Sequence, residues 1–169
     1  MLPTSYSGDI MDERTAQAVT KCLEIDCDFY RELYKFLMKK HTKILADDID
    51  WLTESLNKEQ AFVMKSQSLE TKRQALFQGL GIADRKLSEM MDEVPEGYRA
   101  KLTLLSKQIG DLVDDIREIN EQTNEVVRRK LDNQADFVRR AGIFNKPETY
   151  DKNASKVTRG SSAKAFREV

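Results

Sequence analysis

One stretch limits the folds open to this chain more than any other. Tyr98, Leu102, Leu105, Ile109, Leu112, Ile116, Ile119, Thr123 and Val126 succeed one another at alternating intervals of four and three residues, with only Thr123 polar. Apolar residues at that spacing share one side of an α-helix and make a coiled-coil seam, whereas in a strand they would scatter over both faces. The spacing predicts a helix from Glu96 to near Gly142. At ~1.5 Å per residue it would be a rod of roughly 65–70 Å. Burying one Leu or Ile side chain contributes about 1.5–3 kcal/mol, and the seam yields this only where another helix covers it.

Two earlier stretches can supply that cover. The first runs from about Asp9 to Ala46: Leu23, Tyr30, Leu37 and Ile44 recur every seven residues, Val19 and Leu33 alternate with them, and Cys22, Phe29 and Phe36 widen the stripe. Asp26 and Lys40 interrupt its inner row. Asp47-Asp48 then offers a capping carboxylate before a second helix, predicted from Ile49 to Leu80, with Ile49, Leu52, Leu56, Phe62, Val63, Leu69, Leu76 and Phe77 as its apolar side. Trp51 falls on its first turn, placed to pack against the end of the first helix. So short a connection makes an antiparallel hairpin, which buries both stripes, or a kinked rod, which buries neither; the hairpin is expected. Gly79–Gly81 ends the second helix, and residues 82–95 form a crossover with a short helix over Asp84–Met91. Met90 and Met91, beside Leu87, are expected to plug the open end of the bundle.

The fold class expected is therefore all-α: an antiparallel bundle of three long amphipathic helices, coiled-coil-like, with a short crossover helix. The domain would be residues 1–144, followed by a disordered tail at 145–169. That tail has few bulky apolar residues (Tyr150, Val157, Phe166 and Val169), too few to offset an ordering cost of about 1–2 kcal/mol per residue. It is also basic, with six Lys/Arg against three Asp/Glu.

Charge narrows the function classes. Charged residues are 34% of the 169, yet the formal net charge is −1. This is not the basic surplus of a dedicated nucleic-acid binder. No apolar run is long enough to cross a bilayer and the first residues lack a signal pattern, so a soluble cytoplasmic protein without membrane insertion is expected. Cys22 and Cys27, five apart, would lie about 140° apart around a helix, a spacing that suits neither a disulfide nor a metal. His41 is the one histidine. No phosphate loop, dinucleotide fingerprint, zinc motif or nucleophile elbow occurs. Neither enzyme activity nor a metal or cofactor is expected. What remains is an interaction surface. After Val126 the apolar stripe drifts to Val127, Leu131, Ala135 and Val138, and the far end of the third helix, longer than the other two, is expected to project beyond them. Val127, Leu131, Val138, Ile143 and Phe144 would then be open to a partner helix; burial within the chain or in a self-dimer are the other outcomes.

The arrangement resembles the FlgN-type flagellar export chaperones of bacteria. The resemblance rests on the leucine-rich first helix over Leu23–Leu45, the step Ala46-Asp47-Asp48 into Trp51-Leu52, and Lys58-Glu59. It rests also on Lys72-Arg73-Gln74-Ala75-Leu76 before Gly79-Leu80-Gly81, on Asn120 and Asn124 ahead of Val126-Val127, and on Thr149-Tyr150 in the tail. It covers about residues 15–151. It implies a non-enzymatic cytoplasmic chaperone, monomeric or weakly dimeric. Such a chaperone binds the carboxyl-terminal helical segments of hook–filament junction subunits and delivers them to the flagellar type III export gate. It further implies Val126, Val127, Leu131, Phe137 and Val138 as the substrate-facing stripe, extended by Ile143 and Phe144, and Tyr150 as the export-gate contact. Lys130, Asp132 and Asn133 interrupt that stripe where the family is richer in leucine, and no glycine closely follows Tyr150. The competing expectation is a structural coiled-coil adaptor that oligomerises through the third helix and has no client.

Overall fold

A computed structural model describes residues 11–142, and every regular element among them is helical. They are α1 (Glu13–Leu45), α2 (Ile49–Gly79), a one-turn α3 (Leu87–Met90) continued by a 3-10 turn (Met91–Glu93), and α4 (Glu96–Arg140). Contacts divide the chain into two units, Met1–Val127 and Arg128–Val169. The expected tail at 145–169 lies outside the described residues.

Local chemistry sets the ends. The Asp12 carboxylate accepts from the Thr15 backbone N–H at 2.7 Å and caps α1, which begins at Glu13, about four residues later than the periodicity alone suggests. α1 closes at Leu45, and Asp47 turns the chain with φ at 54°, a left-handed conformation that short acidic side chains tolerate. Asp48 then caps α2 by accepting from the Trp51 N–H at 3.1 Å and is held by Lys43 Nζ at 2.5 Å. Gly81, at φ 70°, follows the last turn of α2, where an L side chain would be strained. The crossover helix is shorter than the expected Asp84–Met91, because Asp84 and Arg85 form turn and bend and Lys86 is extended, with Arg85 pairing instead with Glu93.

α1 and α2 form the expected antiparallel hairpin. Asp26 meets Arg73, Glu32 meets Lys65, Phe36 meets Phe62 and Lys40 meets Glu59, one constant register along both helices. α4 runs parallel to α1 through the first unit: Lys101 pairs with Glu24, the Cys27 thiol approaches Gln108, and His41 Nδ1 lies 2.9 Å from Thr123 Oγ1. In that register Leu45, the end of α1, is level with Val127, where the first unit closes.

The apolar core lies at the crossover end of the hairpin. Ala16, Val19, Leu23 and Cys27 of α1 meet Ile82, Met90 and Val94 of the crossover and Leu102 and Leu105 of α4. Met90 has no exposed surface, so the methionine does close this end as expected, and Leu87 and Met91 pack against the same cluster. All nine seam positions of α4 are buried or half-buried. The stripe of α2 behaves differently. Ile49, Leu56 and Val63 are each more than half exposed, so the hairpin does not bury both stripes. The reason is angular: Trp51, Ser55, Phe62, Leu69 and Arg73 face α1. The row Ile49–Leu56–Val63 stands about 120° further round the helix.

Candidate functional site

The interaction residues expected from sequence are distributed over both units. In the first, Val126 is half-buried and Val127 is 36% exposed. In the second, Leu131 is 59% and Phe137 68% exposed, Val138 is half-buried, and no residue of Arg128–Arg140 is buried. Leu131 and Val138, seven apart, lie above one another on α4, and Phe137 is rotated about 100° from Val138. Arg139 and Arg140 occupy its last turn and complement the helix dipole. Gly142, at φ 66°, follows the last turn. Ile143, Phe144 and Tyr150 lie outside the described residues.

A family model described as FlgN protein matches residues 11–157. The chain belongs to the FlgN family. FlgN proteins are flagellar export chaperones, and the match takes in the hairpin, the crossover and the whole of α4. No curated protein and no solved structure matches this FlgN chain significantly.

Two features of the chain are not contained in its hydrophobic period. The first is Asp26. By sequence it is a flaw in the inner row of α1; in the fold it is 3% exposed and accepts from Arg73 Nη1 at 2.8 Å, while Arg73 also reaches Glu70. Burial lowers the Arg73 pKa, but the hydrogen bonds and charges of Asp26 and then Tyr30 together outweigh it, so the net displacement is upward. The antiparallel register pairs these two residues, and it becomes visible only once the hairpin is assumed. Beside them, burial and then the Asp26 charge raise the Cys22 thiol pKa against the pull of Arg73. Cys22 is accordingly a thiol, not a nucleophilic thiolate, near neutral pH.

The second feature is an aromatic cluster between α1 and α2. Phe36 lies 5.1 Å from Phe62 and 5.9 Å from Trp51 between ring centroids, and Phe29 lies 6.1 Å from Phe62. Trp51 thus packs on α1 as its place in sequence suggests. Lysine ammonium groups cover these rings, Lys39 over Trp51 and Lys58 over Phe36. Among the described residues no group of three or more His, Cys, Asp or Glu could hold a metal ion. No helix among them is long and apolar enough to cross a membrane.

Proposed function

We propose that this FlgN protein is a cytoplasmic flagellar type III secretion chaperone. It binds the carboxyl-terminal helical segments of hook–filament junction subunits and delivers them to the export gate. Its body is the three-helix antiparallel arrangement of residues 1–144, and residues 145–169 are a basic tail carrying Tyr150 to the gate. The observation that supports this most is the exposure of Leu131, in line with half-buried Val138 on one side of a helix of a flagellar chaperone family. An apolar stripe on a regular helix covers the matching stripe of an amphipathic client and releases it without covalent chemistry. A tyrosine in the tail supplies an amphipathic anchor, apolar over its ring and polar at its tip.

Co-purification from the native bacterium tests the proposal. Junction subunits retained with the wild-type chain and lost on deletion of their carboxyl-terminal segments are the expected result. A stable oligomer that retains no junction subunit and ignores such peptides would replace it with the coiled-coil adaptor.

A further inference from the structure

The hairpin has an outer face that the chaperone reading does not use. On α1, Lys21, Ile25, Asp28, Glu32, Lys35 and Lys39 succeed one another at intervals of four and three residues. On α2, Lys58, Lys65 and Lys72 recur every seven. Both rows border grooves between the helices. One groove, of about 690 Å³, is floored by Phe36, Trp51 and Phe62 and rimmed by Lys35, Lys39, Lys58, Glu32 and Glu54. The other, of about 300 Å³, has an apolar floor including Cys22, Ile25, Leu69 and Leu76, with Lys21 and Lys72 at its edge. Between them Lys65 bridges to Glu32 and lies over Phe29.

The charges on this face are unbalanced. Asp26 is matched by Arg73, Glu32 by Lys65 and Asp28 by Arg31. Among the residues lining the two grooves, that leaves Lys35, Lys39 and Lys58 beside one carboxylate, Glu54, and Lys21 and Lys72 with none, on a chain whose net charge is −1. Two of these lysines rest on the aromatic floor by cation–π contact, worth about 0.5–1 kcal/mol at an exposed site. Such contacts are weak enough for an incoming carboxylate to draw the ammonium groups aside and uncover the rings. From Ala18 to Lys39 the face is about 32 Å long, room for some six helical turns.

We propose that this outer groove of the α1–α2 hairpin binds an acidic amphipathic helix of a partner protein, its apolar side chains on the Phe36–Trp51–Phe62 floor and its carboxylates on the lysine rims. A basic or neutral helix would leave the rims unmatched. The proposal is independent of client binding by the far end of α4.

Trp51 is the sole tryptophan and part of the floor, so its emission reports on the groove directly. The probe is a 21-residue helical peptide with Leu at four-three spacing and Glu and Ala elsewhere, titrated into the full chain beside a copy with Lys replacing Glu. The acidic peptide is expected to change Trp51 emission saturably and the basic copy is not. The double variant Lys35→Glu/Lys58→Glu, both side chains exposed, is expected to weaken binding about tenfold or more with unchanged circular dichroism. Leu131→Asp is expected to bind the peptide as wild type does. Three results would each overturn the proposal: no saturable change, equal responses to both peptides, or a response only to phosphatidylglycerol vesicles. So would binding unaffected by Lys35→Glu/Lys58→Glu or lost in Leu131→Asp.

Discussion

Asp26 shows how a single residue depends on its partner. Its carboxylate is 3% exposed and bonded to Arg73, so removing the guanidinium strands a charge away from water. Arg73→Ala is expected to cost about 3 kcal/mol, the low end for breaking a buried pair, because the Arg73 side chain is itself 29% exposed. The double change Asp26→Leu/Arg73→Met should recover most of that loss in urea unfolding. Equal destabilisation of both variants would mean that packing, not the stranded carboxylate, is responsible. Asp48 carries a second, pH-dependent contribution. The hydrogen bond from Lys43, then that from the Trp51 N–H, hold its carboxyl below the usual aspartate range. A depressed acid stabilises the fold fully above its unfolded value, near pH 4, and loses that contribution as pH falls through the folded value. Between about pH 5 and about pH 3 the Tm of the wild type should therefore fall further than that of Asp48→Asn, which keeps a capping oxygen but does not titrate.

At the level of the elements, α4 does two different things along its length. Its first two thirds meet α1 and the crossover through a seam whose positions are all buried or half-buried, and Met90 completes that contact with no surface exposed. Met90→Ala should accordingly cost about 2–4 kcal/mol, and Met91→Ala, at a half-buried position, clearly less. The last turns of α4 have no buried residue, so a charge there should not disturb folding. Leu131→Asp or Val138→Asp is expected to abolish client binding while circular dichroism keeps its helical amplitude. A loss of helicity instead would mark these residues as structural. The elements themselves were legible in the sequence to within a few residues, because capping carboxylates, glycines and period act locally. The short crossover helix was overestimated because Arg85, which suits a helix, is engaged with Glu93 across the turn.

For the whole molecule, the decisive measurement separates delivery from holding. Tyr150→Ala should impair secretion of junction subunits while co-purification with them is retained, and unchanged secretion would remove the gate role from this tyrosine. The chaperone should be monomeric or weakly dimeric in sedimentation, and a tight oligomer would favour the adaptor. Hydrophobic period is a property of position along the chain, and it was enough to place three long helices and the seam of α4, while the short connection between the first two pointed to the antiparallel hairpin. Which surfaces remain open depends on distances between helices, which no one-dimensional pattern contains. Thus Ile49, Leu56 and Val63 look like core in sequence and are exposed, Asp26 looks like a defect and is paired, and lysines scattered through two helices gather on one face once the hairpin closes.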